Sequence, residues 1–177
     1  MAEFLHTYDI RSQITHIINS ANNFVVLISP FLNELQEEVF EGIKKADERK
    51  VEVILLCGKN KQWKGAIKLD QKLIHQLDEL ENLYIFYIQN LHAKCYFNEN
   101  SMVITSMNLY DINTVNVEFG ILLDVEEDSD IYHKSLEAVA GLFNEYAYLV
   151  NSQLALTHKY LTIRLASTCH TLKQPRY

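Results

Sequence analysis

The run Phe24-Val-Val-Leu-Ile28 constrains the fold more than any other segment, because it is apolar without interruption and rich in β-branched residues. A strand open to water on one face alternates apolar and polar residues, whereas an unbroken run implies a strand covered on both faces. Pro30, which has no N–H for a sheet ladder, closes it just after Ser29. Upstream, Ile10, Ile14, Ile17, Ile18 and Ala21 recur at helical spacing. Downstream, Leu35 to Ala46 reads as a second helix with Leu35, Val39 and Ile43 in line, and Val51 to Leu56 as a second strand. Gly58 to Trp63 reads as a loop, Leu69 to Leu80 as an amphipathic helix and Leu83 to Ile88 as a third strand. This alternation predicts an α/β fold, a mixed and mostly parallel sheet with helices on both faces.

From His92 the pattern changes. Two short runs, His92 to Phe97 and Met102 to Thr105, flank Asn98-Glu99-Asn100 and read as a hairpin with a three-residue loop. Val117 to Val125 follows as another strand, and Ile131 to Val150 as a long helix with Ile131, Leu136, Val139 and Phe143 along one stripe. Leu154, Leu156, Tyr160, Leu161 and Ile163 suit a C-terminal helical extension over 151–177 or an exchanged arm, with a frayed end from Thr168. The expectation is one domain over 1–177 with its core at about 10–150. With 177 residues, 48% of them hydrophobic, the chain can bury a core unaided, which argues against disorder.

Apolar runs such as Phe24 to Ile28 and Ile121 to Leu123 fall well short of the roughly 20 residues that cross a bilayer, and no signal-peptide pattern opens the chain. A cytoplasmic protein without membrane association is expected. Cys57, Cys95 and Cys169 are odd in number and widely spaced, as suits reduced thiols, and the first two sit in apolar runs as small buried hydrophobes. Net charge of −7 opposes broad nonspecific attraction to DNA and leaves room for a local basic site.

The residues that carry chemistry fall between 92 and 120. In a strand, His92 and Lys94 project from one face, so an imidazole and an ammonium share a site. A three-residue loop sets position 92 opposite 106, which places Ser106 across from His92 and Asn108 on the same face; a two- or four-residue loop reverses that. Asn100 suits the left-handed position of the longer loop. Imidazole, ammonium, hydroxyl and amide together suit a tetrahedral phosphoryl group, the donors neutralising its oxygens while neutral imidazole attacks phosphorus. No metal centre and no cofactor are expected. Glu118, among Val117, Phe119 and Ile121, needs a partner if buried, and His92 is the best on offer. Tyr96 and Tyr110 read as packing residues, and His6, His16, His75, His133 and His170 carry no chemistry. Lys59, Lys61, Lys64 and Lys68 around Trp63 could grip backbone phosphates and stack a base, or could form a solvated loop and helix start.

His92-x-Lys94-x-x-x-x-Glu99, followed by Thr105-Ser106-x-Asn108, resembles the signature of the phospholipase D superfamily, H-x-K-x4-D with a G-S-x-N element behind it. The Ser29-Pro30-Phe31 strand end and Asn116-x-Glu118-x-Gly120 resemble the same family, and the likeness covers roughly Ile10 to Glu145. It departs at Glu99, where the family usually has Asp, and at Thr105, where it usually has Gly, a bulkier neighbour for the phosphate-binding turn. The resemblance implies a metal-independent phosphodiesterase in which two motifs meet, one histidine becoming phosphohistidine and the other protonating the leaving oxygen. This chain has one motif, so a homodimer is the implied arrangement. Lys94, Ser106 and Asn108 would hold the phosphate, and Glu118 would orient His92. Short single-motif members resemble nucleases more than lipid enzymes, so nucleic acid is the expected substrate, with Lys59, Lys61, Trp63 and Lys64 binding it. The alternatives are a phospholipid-hydrolysing or transferring enzyme, or a nucleic-acid-binding subunit of a defence or restriction assembly with a partner protein.

Overall fold

The computed structural model describes residues 1–31, 35–58, 77, 79–112, 115–146 and 148–149. In chain order these form β1 (Glu3–His6), α1 (Thr7–Ser20), β2 (Phe24–Ser29), α2 (Glu37–Glu48), β3 (Glu52–Gly58), β4 (Leu83–Ile88), β5 (Cys95–Asn98), β6 (Ser101–Thr105), a 3-10 turn (Leu109–Asp111), β7 (Phe119–Asp124), α3 (Ser129–Tyr146) and β8 (Tyr148–Leu149). The strands make one sheet in the order β1-β7-β6-β5-β2-β3-β4-β8.

The α/β class and the helices on both faces are as the sequence predicts, and the sheet is mixed. Parallel pairing does not dominate it: β2–β3 and β3–β4 are parallel, and every other ladder is antiparallel. The helix-strand alternation is confined to the first half. The β5–β6 link is a hairpin too short for a crossover, and β5 docks antiparallel on β2 with Leu27 opposite Tyr96.

Burial explains the unbroken run that opened the sequence reading. Every residue of β2 is buried. Val25 and Leu27 join Val53, Leu55, Ile10, Ile14, Ile17, Val39 and Ile43 in a core under α1 and α2. Phe24, Val26 and Ile28 join Ile54, Leu56, Phe86, Phe97, Tyr132, Leu136 and Phe143 in a second core under α3. Each fully buried Ile, Leu or Phe contributes about 1.5–3 kcal/mol, and two such layers on one sheet make its centre rigid. Below α2, the Asp47 carboxylate accepts the Asn82 backbone N–H at 2.6 Å and so fixes where β4 begins.

One strand is new, one expected boundary moves and two expected segments fall outside the description. Strand β1 does not stand out in the sequence, because only Leu5 of its four residues is buried. The C-terminal helix stops at Tyr146 rather than Val150, and Tyr148–Leu149 pair with β4. Most of the expected helix over Leu69 to Leu80, and all of 151–177, lie outside the described residues. Among those described, no helix is long and apolar enough to cross a membrane.

Candidate active site

The site gathers at one end of the sheet, where β2, β3 and β6 finish and β5 and β7 start. Pro30 and Gly58 meet there, the Gly58 N–H donating to the Pro30 carbonyl at 3.1 Å. Leu91 crosses directly over Gly58: a Cβ at Gly58 would lie 2.8 Å from the Leu91 carbonyl oxygen and 3.1 Å from the Leu91 Cβ. The approach needs glycine for space. Just before it, Asn90 turns the chain with φ of 63°, a left-handed conformation that asparagine tolerates better than most residues. Buried Leu91 therefore anchors the segment while the next residue, His92, is exposed.

His92 and Lys94 precede β5 rather than lying in it, and they still face each other: Lys94 Nζ is 3.3 Å from His92 Nδ1. An ammonium has only donors, so Nδ1 accepts and the ring proton sits on Nε2. The Lys94 carbonyl in turn accepts the Thr105 N–H at 3.2 Å, which sets Lys94 beside the end of β6.

The hairpin register differs from the expected one. Cys95 pairs with Ile104, Tyr96 with Val103 and Phe97 with Met102, so the loop has two residues, Glu99 and Asn100. The Asn98 carboxamide oxygen accepts the N–H of Asn100 at 2.8 Å and of Ser101 at 3.1 Å, which closes the shorter turn, and Asn100 is not left-handed. Position 106 therefore does not pair with 92. Ser106 instead leaves the β5 ladder and joins β7, where its N–H donates to the Phe119 carbonyl at 3.0 Å and its hydroxyl donates to the Glu118 carboxylate. The partner of Glu118 within the chain is thus Ser106, and that of His92 is Lys94.

Asn108 is placed by its neighbours. The buried Ser29 hydroxyl accepts the Leu109 N–H at 3.1 Å and donates to the Phe31 carbonyl at 3.2 Å, while the Tyr96 hydroxyl donates to the Met107 carbonyl at 2.8 Å. Tyr96 is fully buried, and Tyr110 meets Phe31 edge to face at 6.1 Å. Glu99 lies at the other end of the sheet and supports it: its carboxylate accepts the Asn22 N–H at 2.7 Å where the chain enters β2.

Two supports were not legible in the sequence. The Thr7 hydroxyl accepts the Glu118 backbone N–H at 2.8 Å, and it donates to the Asn116 carbonyl at 3.2 Å. Ser29, read above as a strand end, pins the Asn108 turn. Neither has a signal in sequence spacing, since their partners lie 111 and 80 residues away. Lys59, Lys61, Trp63 and Lys64 lie outside the described residues. Burial pushes the thiols of Cys57 and Cys95 up to about 12, so both are inert small hydrophobes at neutral pH. Among the described residues, no group of three or more His, Cys, Asp or Glu is placed to hold a metal ion.

Imidazole and ammonium in one pair, and hydroxyl and carboxylate in another at the same end of the sheet, are groups with the chemistry to bind a phosphate oxygen and to transfer protons. The family profile described as "Cardiolipin synthase, PLD-like domain" matches residues 14–140, which contain all of these groups. No curated protein matches the sequence. Among solved structures, Nuc from Salmonella typhimurium, a phospholipase D family member, superposes with a TM-score of 0.64 at 14% identity, over 86% of this chain and 99% of Nuc. NucT from Helicobacter pylori gives 0.57 at 16% identity, over 77% of this chain and 96% of its own. Phosphatidylserine synthase from Haemophilus influenzae Rd KW20 gives 0.71 at 12% identity, over 96% of this chain and 45% of the synthase. The profile match spans most of the sequence and takes in the whole His92 to Glu118 constellation, so the chain belongs to the phospholipase D superfamily.

Proposed function

We propose that the protein is a metal-independent phosphodiesterase that cleaves nucleic acid in a site shared between two copies of the chain. The observation that carries this reading is the exposed His92 ring with Lys94 Nζ at 3.3 Å, in a chain with one such motif. An approaching phosphate draws Lys94 to one of its oxygens, which releases Nδ1 to take the ring proton and leaves Nε2 free to attack. The P–N bond forms as the P–O bond to the leaving group breaks, and the second subunit's histidine, as an imidazolium, gives its Nε2 proton to that oxygen and is left neutral. Water then attacks phosphorus, activated by that same histidine, and the P–N bond breaks. Ser106 and Asn108 bind the remaining phosphate oxygens, and Glu118 stabilises positive charge on the site.

What supports a nucleic-acid substrate is the likeness to Nuc and NucT, each matched over nearly its whole length. The test is cleavage of labelled single- and double-stranded DNA and RNA in EDTA by wild type and His92→Ala. Wild type cuts at least one of the four, and the variant, which loses an exposed side chain and creates no core cavity, stays folded and cuts none. Cleavage by the variant at the wild-type rate overturns the role of His92. Activity lost in EDTA and restored by a divalent ion overturns metal independence.

A further inference from the structure

Thr105 brings to the phosphate-binding turn a hydroxyl that glycine, the residue the family usually has there, lacks. Three segments of the site meet on it. Its N–H donates to the Lys94 carbonyl at 3.2 Å, and its hydroxyl accepts the Met107 N–H at 3.1 Å and donates to the Phe119 carbonyl at 2.8 Å. A hydroxyl has one proton; with Met107 holding the oxygen from one side, that proton is fixed on Phe119. The side chain has room because its Cα partner on β7 is Gly120. A Cβ at 120 would lie 3.1 Å from the Thr105 Cβ and 3.2 Å from both Ile10 Cγ1 and the Ile104 carbonyl oxygen. Threonine at 105 is thus matched to glycine at 120.

The bond to Phe119 decides what Ser106 can do. A carbonyl oxygen has two lone pairs, and those of Phe119 go to the Thr105 hydroxyl at 2.8 Å and the Ser106 N–H at 3.0 Å. The Ser106 hydroxyl oxygen is 3.4 Å from the same carbonyl, the longest of the three contacts. It accepts the Phe119 N–H at 3.2 Å and donates to the Glu118 carboxylate. With the carbonyl filled, the single Ser106 proton has two destinations: Glu118, and an oxygen of an anion bound beside it. Ser106 is exposed, so an anion can reach it. From this we infer that Thr105 is a positioning residue, which by occupying the Phe119 carbonyl keeps the Ser106 hydroxyl aimed at Glu118 and available to a phosphate oxygen. The inference rests on the phosphodiesterase reading above and adds a residue to it. Without the Thr105 hydroxyl the carbonyl opens, a small rotation carries the Ser106 proton to it, and both Glu118 and the phosphate lose their donor.

The experiment measures kcat on bis(p-nitrophenyl) phosphate, and Kd for inorganic phosphate by calorimetry, on the full chain. The proteins are wild type, Thr105→Val, Thr105→Ser, Ser106→Ala and Thr105→Val/Ser106→Ala. Valine keeps the branched shape that fits against Gly120 and removes only the hydroxyl; serine keeps the hydroxyl. Thr105→Val should lower kcat and weaken phosphate binding by about tenfold each, the effect of one hydrogen bond to a charged group, and Thr105→Ser should restore both. In the Ser106→Ala background the same valine should cost no more than about twofold, because two residues that act through one hydroxyl are not additive. If Thr105→Val lacks the wild-type circular dichroism, Thr105→Ala gives the same comparison. Wild-type kcat and Kd in Thr105→Val, or a full tenfold loss when Ser106 is already absent, overturns the inference. A wild type that binds phosphate and cleaves no diester overturns the phosphodiesterase reading, and the Kd values then decide the part of Thr105. A wild type that binds no phosphate overturns both.

Discussion

The contact between Gly58 and Leu91 gives the most direct handle on the site. Alanine at 58 puts a methyl carbon 2.8 Å from the Leu91 carbonyl oxygen, 3.1 Å from its Cβ and 3.2 Å from the Pro30 carbonyl oxygen. Ordinary contact begins near 3.4 Å, so one segment has to retreat by about 0.6 Å, and two of the three obstacles are backbone. β3 is paired in parallel on both sides and cannot give. The Leu91 segment therefore moves, and His92 moves with it. A misplacement of about 1 Å costs on the order of a hundredfold in rate, so Gly58→Ala should lower kcat about tenfold to thirtyfold on bis(p-nitrophenyl) phosphate. Overpacking should cost about 1–3 kcal/mol in urea denaturation. Gly141→Ala is the control: it lies on α3 with nothing within 4 Å of the new Cβ. That change should leave kcat alone and raise stability by about 0.5–1 kcal/mol. A Gly58→Ala protein with wild-type kcat and stability would refute the idea that this close approach positions His92.

Thr7→Val leaves the Glu118 N–H without its acceptor; kcat should fall about tenfold, with Thr7→Ser restoring it, and an unchanged kcat in Thr7→Val removes Thr7 from the positioning of Glu118. Glu99→Ala should cost about 1–3 kcal/mol in urea denaturation, because the Asn22 N–H loses a charged acceptor, while kcat of the folded fraction stays within twofold. Cys57 and Cys95, raised from 9.0 to about 12 by burial, stay protonated when folded and ionise when unfolded between those values. Stability is therefore full below pH 9 and falls above it by up to about 1.4 kcal/mol per pH unit for each thiol, a slope that Cys95→Ala should roughly halve. Neither thiol should react with a disulfide reagent at pH 8 until the protein is denatured.

What could be read from the chain, and what could not, follows from the range of the forces involved. The strands β2, β3 and β4 announce themselves as nearly unbroken apolar runs, and helix α1 by apolar residues at helical spacing, signals that lie along the sequence itself. β4 matches its expected bounds, Leu83 to Ile88, residue for residue. The nearness of His92 to Lys94 is likewise local, two residues apart, and survives even though the segment is not a strand. The register of the hairpin is not legible from composition, which suggests three loop residues, because one side chain decides it: Asn98 closes a two-residue turn. The share of parallel pairing is hidden for a related reason, since sequence shows that a strand exists and only tertiary packing shows its neighbour, as with β5 antiparallel on β2. Partners far apart in the chain, such as Thr7 with Glu118 and Ser106 with Glu118, carry no periodicity to find. Strand β1, which sets Phe4 beside Ile121, carries no such signal because only one of its four residues is buried.

Strand β2 is held at both ends by the motif segment. Glu99 grips the chain as it enters the strand, Leu109 grips Ser29 as it leaves, and β5 is paired along the length between. The hairpin that carries the chemistry therefore has no opening motion of its own: to swing away it would have to release the central strand of both cores. In terms of local unfolding, amides of β5 such as Phe97 should exchange with solvent only through global unfolding, with the same free energy as those of β2. Flexibility needed to admit substrate has to come instead from the exposed His92 and Lys94 side chains, which can reorient while the backbone beneath them stays fixed.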